Sequence, residues 1–257
     1  MTDKPADLPE GCKLLDLDEV DGTNAEAMRR VLAGERGPLW IIARQQSSGR
    51  GRSGRAWASM PGNLFASFVT TLDCPPAKAG QLALVAGIAT IEAICRAGDV
   101  PGLRLKWPND ILVDTAKTGG ILVESTSRPL RPGTVAVIGI GLNLVSSPVD
   151  LGRTATFLAR HGLSLSPREA LCFLAHTMND WIRIWDGGDG FAQVRAAWLA
   201  RAGTLGEALT VNAADGPVSG TFAGLDDTGA LLLDDADGRQ LSFSFGDVTL
   251  AAKDDDA

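Results

Sequence analysis

The segment Gly49-Arg50-Gly51-Arg52-Ser53-Gly54-Arg55 constrains this chain most, because three glycines alternate with three arginines between two strand-like runs. Glycine admits left-handed backbone and lets backbone amides approach a ligand closely. Arginine adds a permanent charge and a planar fork of donors suited to phosphate or carboxylate. The segment reads as a mobile loop that clamps an anion. It also satisfies G-x-G-x-x-G, the dinucleotide fingerprint, behind the apolar run Leu39 to Ala43. The context argues against that reading, since the fingerprint must open a helix, whereas Ala58 to Asn63 reads as a turn.

With 257 residues, 45% hydrophobic and 21% charged, the chain can bury a sizeable core, which excludes disordered and collagen-like classes. The longest apolar helical stretch, Leu82 to Ala97, is interrupted by Gly87 and Glu92. The start of the chain lacks a charged-then-apolar signal pattern, so a cytoplasmic protein without a membrane partner is expected. Cys12, Cys74, Cys95 and Cys172 form no C-x-x-C pair, so neither a zinc site nor a disulfide framework is indicated. A net charge of -7 argues against nucleic acid as a partner, although the arginine loop makes a local positive patch.

Alternating strands and helices are expected up to about residue 200. Strands are predicted over Leu14 to Val20, Leu39 to Gln46 and Asn63 to Leu72, with a helix over Pro76 to Ala97. Thr23-Asn24-Ala25-Glu26 has the form of a capping box and should start a helix running to about Gly34. Short strands follow at Arg104 to Trp107, Ile111 to Asp114, Gly119 to Ser125 and Val135 to Leu142, then helices at Pro167 to Trp185 and Gly190 to Ala200. From about Gly203 the pattern changes to five short strands with Gly and Asp turns, as in a small barrel. The expected fold class is α+β, with a mixed sheet and flanking helices over residues 1–203 and a small C-terminal SH3-like β-barrel over 204–257. The acidic tail Asp254-Asp255-Asp256 is expected to be solvated.

A second constellation is Lys106-Trp107-Pro108-Asn109-Asp110, followed by Lys117-Thr118-Gly119-Gly120-Ile121-Leu122-Val123-Glu124. It reads as two adjacent strands, with Lys117 near the start of the second and glycines leaving room for a ligand. Proline fixes the backbone before an amide and a carboxylate, and tryptophan anchors the turn.

Together with Trp57, the Pro61-Gly62-Asn63-Leu64 turn and Gly139-Ile140-Gly141-Leu142-Asn143, these segments resemble the biotin protein ligases in order and spacing, across essentially the whole chain. The resemblance implies a two-step reaction. Biotin and MgATP give biotinyl-5'-adenylate and pyrophosphate, and a lysine of a biotin carboxyl carrier protein then attacks the mixed anhydride. The short segment before the first strand resembles the monofunctional form without a DNA-binding domain, and a homodimer is one assembly left open.

By the same resemblance, Lys117 contacts the biotin carboxylate and the α-phosphate, while Arg50, Arg52 and Arg55 bind phosphates and hold the adenylate. Thr23, Asn24 and Gln46 reach the ureido ring, with Gly49, Gly51, Gly120 and Gly139 completing the biotin pocket. Trp57 and Asn143 lie at the adenine, and Asn109 and Asp110 sit where magnesium or the incoming lysine would be. Asp110 is the candidate to orient that amine or help remove its proton, with a turn-stabilising aspartate as the alternative. Family members often have a serine where this chain has Gly22, and Thr23 is left open between helix capping and a double role. A lipoate or octanoate ligase shares the adenylate logic and stands as an alternative, as does a non-catalytic nucleotide-binding partner protein.

Overall fold

A computed structural model describes residues 7–127, 133–148, 154–213 and 216–250, so the acidic tail lies outside the described residues. Strands β1 (Lys13–Val20), β2 (Leu39–Gln46), β3 (Leu64–Leu72), β4 (Leu103–Lys106), β5 (Asp110–Val113), β6 (Ala116–Ser127) and β7 (Thr134–Leu142) form one sheet in the order β1-β2-β3-β7-β6-β5-β4. Only β1 and β2 run parallel, and every other neighbouring pair is antiparallel. The sheet is therefore mixed, with β3 and β7 at its centre and apolar along nearly their whole length, as strands covered on both faces must be.

Strand alternation divides the core between the two faces. Leu39, Ile41, Val69, Val135 and Val137 meet Ala27 and Val31 of helix α1 (Thr23–Leu32) on one side. Trp40, Ile42, Phe68 and Ile138 point to the other, into the large core under α2 (Leu82–Ala97), α3 (Pro167–Trp185) and α4 (Phe191–Leu199). The predicted helix over 76–97 divides into a 3-10 segment, Pro76–Gln81, and α2 proper. Together these form a helix long and apolar enough to cross a membrane, yet most of its apolar window is buried against the rest of the protein. In α2, Gly87 brings Leu105 of β4 close: a Cβ there would stand 3.1 Å from Leu105 Cδ2.

The expected capping box at Thr23 is not formed. Gly22 is the N-cap, Thr23 is already helical, and Glu26 pairs with Arg29 and Arg30. Among the described residues a reciprocal box forms at α3, where Ser166 and Glu169 exchange hydrogen bonds across Pro167. A tertiary partner explains the difference, because the Thr23 hydroxyl donates to Gln46 Oε1 on β2 instead of capping its own helix.

Strands β8 (Ala208–Ala213), β9 (Gly216–Leu225), β10 (Leu231–Asp234), β11 (Gln240–Phe243) and β12 (Asp247–Leu250) make a separate antiparallel sheet ordered β11-β10-β9-β8-β12. Its inner residues Leu209, Val211, Phe222, Leu231, Leu233 and Val248 join the large core. It is also tied to the first sheet by the Arg104–Glu207 ion pair at 2.9 Å and by Trp107 Nε1, which donates to Gly229 O at 3.1 Å. The edge strand β12 is thereby placed beside the β4–β5 turn.

Candidate active site

The loop after β2, the β4–β5 turn, the start of β6, the middle of β7 and β12 surround one cavity of about 850 Å3. That is within the range of a small-molecule site. Five cationic side chains line it, Arg50, Arg52, Arg55, Lys106 and Lys117, against three carboxylates, Asp110, Glu124 and Asp247. In a chain of net charge -7 this is a local positive excess, which suits an anionic ligand.

Lys117 is held by its own backbone. Its N–H donates to Thr154 O at 3.0 Å and its carbonyl accepts from Thr156 N–H at 2.9 Å. The ammonium meets the Asp110 carboxylate and stands 5.5 Å from the centroid of the Trp57 ring. The other oxygen of Asp110 takes Lys106 Nζ at 3.0 Å, and Lys106 also reaches Val248 O of β12 at 2.9 Å. Burial pushes the Asp110 carboxyl up, but Lys117 and Lys106 outweigh it and leave the group below its ordinary value. Asp110 is thus a fixed anion between two ammonium groups and a weak proton acceptor. That geometry suits orienting an incoming amine better than removing its proton.

At the expected magnesium position Asn109 Nδ2 donates to Ile121 O at 2.5 Å, which leaves its Oδ1 as the atom able to meet a metal, while a cation at Asp110 would stand beside two ammonium groups. Among the described residues no group of three His, Cys, Asp or Glu side chains is arranged to hold a metal.

The neutral part of the cavity is built by α1 and β2. Gln46 Oε1 accepts from Thr23 N–H at 2.9 Å and from its hydroxyl at 3.2 Å, which leaves Gln46 Nε2 to donate to Ser59 Oγ at 3.1 Å. Asn24 Nδ2 donates to Glu124 Oε2 at 2.8 Å and to Leu122 O at 3.2 Å, while its Oδ1 accepts from Ser67 Oγ at 2.6 Å. The position of Gly22 has room for a side chain, the nearest neighbour of a Cβ being Ser48 O at 3.7 Å.

Glycines on the sheet make this packing possible. A Cβ on Gly139 would lie 2.3 Å from Asn24 Oδ1, and one on Gly141 would lie 2.5 Å from the Trp57 indole. Gly120 lies under both Trp57 and Lys117, at 3.0 and 3.1 Å from an ideal Cβ.

Thr23, Asn24, Gln46, Arg50, Gly51, Arg52, Arg55, Trp57, Asn109, Asp110, Lys117, Gly120 and Gly139 therefore line one cavity. Two expected residues do not. Gly49 is in the supporting backbone, its carbonyl accepting from Trp57 N–H at 2.9 Å. Asn143 is buried beside a small neighbouring cavity that it shares with Trp57 and Lys117, and its Nδ2 donates to Thr156 O at 3.0 Å. Residues not singled out from the sequence also line the site. Lys106 stood inside a recognised motif, whereas Asp247 and Val248 enter from a distant part of the chain.

The glycine-arginine loop is folded back on itself. Arg50 bridges Ala56, Gly51 N–H donates to Arg55 O at 2.7 Å, and a 3-10 turn spans Arg52–Gly54. Ser53 and Gly54 take positive φ at the tip, 54° and 72°, a conformation that glycine adopts freely and that Ser53 shares here. Arg52 and Arg55 both turn toward Asp247 on β12, at 3.5 and 2.8 Å.

Comparison with known proteins shows the family. The model of the Biotin/lipoate A/B protein ligase family matches residues 26–143, and that of the Biotin protein ligase C terminal domain matches residues 204–250. A biotin–[acetyl-CoA-carboxylase] ligase of Paracoccus denitrificans is 39% identical over 233 residues, covering 88% of this chain and 95% of that protein. One from Mycobacterium tuberculosis is 32% identical over 237 residues, covering 90% and 86%. The biotin protein ligase from Aquifex aeolicus, solved in complex with biotin and ATP, superposes with a TM-score of 0.77 at 26% identity, over 93% of this chain and 99% of that one. The chain belongs to the biotin protein ligase family.

Proposed function

We propose that this protein activates biotin with MgATP and passes the biotinyl group to a lysine of a biotin carboxyl carrier protein. The observation that carries the reading is the union, in one cavity, of a hydrogen-bonding set at Thr23, Asn24 and Gln46 with the cationic set at Lys117 and the loop arginines. The first set suits a ureido ring, which both donates and accepts. The second suits a carboxylate meeting a triphosphate.

In the first step a biotin carboxylate oxygen attacks the α-phosphorus and pyrophosphate leaves. Two anions must approach each other, which costs about 4 kcal/mol per pair of unit charges at 4 Å in an effective dielectric near 20. Lys117, already fixed by Asp110 and its backbone bonds, offsets that repulsion without reorganising, and Arg50, Arg52 and Arg55 bind the phosphates. Magnesium enters as part of the MgATP substrate. In the second step the neutral acceptor amine attacks the carbonyl carbon, AMP leaves and an amide forms. Asp110 holds its place as an anion near the attack, and the amine proton goes to solvent or to the departing phosphate.

Gly139→Ala is expected to raise the KM for biotin about tenfold or more with little change in the KM for ATP. The new methyl displaces Asn24 from Ser67 and Glu124, and a hydrogen bond to a charged group is worth about 1.5–3 kcal/mol. Steady-state exchange kinetics at varied biotin check this. The transfer step is tested by mass spectrometry of a purified biotin carboxyl carrier protein after incubation with enzyme, biotin and MgATP. One added biotinyl group on a lysine is expected. An unmodified carrier alongside free biotinyl-adenylate would remove the transfer step, and a lipoyl or octanoyl adduct formed in place of biotin would move the chain to the alternative substrate.

A further inference from the structure

Arg52 and Arg55 are held from outside their own segment as well as within it, where Arg55 Nε donates to Arg52 O at 3.3 Å. Arg52 Nη2 donates to Gly246 O at 3.1 Å, and its guanidinium stands 5.1 Å from the centroid of the Phe245 ring. Arg55 Nη2 donates to Asp247 Oδ1 at 2.8 Å. All three partners belong to the turn and first residue that lead into β12, nearly two hundred positions further along the chain. That strand is fixed in turn by β8, through the Asp247–Asn212 and Val248–Val211 register, and by Lys106 Nζ on Val248 O.

The Arg52 side chain is only 17% exposed, and its Nη1 is buried without a hydrogen-bond partner in a residue that lines the cavity. A partly desolvated guanidinium needs a counter-charge to remain there, and Asp247, 3.5 Å from Nη1, is the carboxylate paired with it.

We propose that Asp247, supported by Gly246 and Phe245, is the positioning residue of the arginine loop: it holds Arg52 and Arg55 over the cavity before ATP binds, so that Arg52 presents a prepared donor to the phosphates. The C-terminal sheet thus contributes to catalysis by preorganising a loop of the first domain. The proposal rests on the ligase reading above, because it assumes that the loop arginines meet phosphate.

The two rest on separable measurements. In the ligand-free protein, Asp247→Asn is expected to raise the rate of limited trypsin cleavage at residues 50–55 about fivefold, the factor that corresponds to an ion pair near the upper end of the exposed range. Asp247→Glu should restore the slow rate, and Phe245→Ala should raise it by a smaller factor. In biotin-dependent pyrophosphate exchange, Asp247→Asn should raise the KM for ATP by a similar factor, with kcat and the thermal midpoint close to wild type.

Unchanged cleavage and unchanged KM in Asp247→Asn would overturn the proposal. So would a lowered KM, which would make Asp247 a competitor of phosphate. A wild-type protein that exchanges no pyrophosphate would instead remove the ligase reading, while the cleavage comparison would still report whether Asp247 holds the loop.

Discussion

Lys117→Ala lowers kcat/KM for biotin-dependent pyrophosphate exchange by about 10²- to 10³-fold, the loss usual for removing one prepared electrostatic donor from a transition state. Its neighbours are engaged elsewhere, Lys106 with Asp110 and Val248 O, and Arg52 and Arg55 with Asp247. The fold should survive, because Asp110 keeps Lys106 as a partner and the backbone bonds of residue 117 do not depend on its side chain. Lys117→Arg should recover little, because a planar guanidinium does not reproduce the compact point charge that the ammonium places beside Asp110. Exchange kinetics with a circular-dichroism control measure both variants. A change in Lys117→Ala of less than about threefold would remove the lysine from the chemical step.

Asp110→Ala has the largest expected effect on stability. The carboxylate is one anion shared by two ammonium groups, with side-chain exposures of 11% for Asp110, 12% for Lys117 and 20% for Lys106. Removing one partner of a buried pair costs about 3–5 kcal/mol, and because the lysines keep some solvent the lower end applies. In a chain of this size a loss of about 3 kcal/mol lowers the thermal midpoint by roughly 6–12 °C. Because the folded carboxyl lies below its ordinary value, its stabilisation is present above the unfolded value near about 3.9 and is lost as pH falls through the folded one. The gap between wild type and Asp110→Ala should therefore be constant from about pH 5 to 8 and shrink only under strongly acid conditions. Calorimetry across that range checks the sign, and a gap that opened at low pH would contradict the ionised-anion assignment.

Local signals made much of the fold legible. Helix α3 could be bounded from Pro167 to Trp185 because Pro167 sits at its first turn behind a serine, and β2 because an apolar run ends at the polar Arg44-Gln45-Gln46. The signals failed where tertiary partners compete with local ones. Thr23 has the spacing of a capping residue, yet Gln46 on the neighbouring strand takes its hydroxyl. Asp110 sits in a turn-like sequence, yet two lysines from different strands define its charge state. Gly139 and Gly141 look like ordinary strand glycines until Asn24 and Trp57 are seen lying on them.

The cationic side of the site was readable because its residues cluster in two short motifs. The β12 wall was not, since Asp247 reaches the loop from a sheet whose sequence carries only strand and turn signals. A contact at such separation leaves no periodic trace in a single sequence. The same is true of Glu124, which ends a recognisable motif but acquires its role only when α1 brings Asn24 to it.

The central claim is that this cavity joins a biotin carboxylate to the α-phosphate of ATP. Pyrophosphate exchange into ATP by the purified protein, with biotin, lipoate and octanoate supplied separately and no acceptor present, tests it most directly. The account predicts exchange with biotin and background rates with the other two. Exchange that depends on lipoate or octanoate, or none with any of the three, would contradict it.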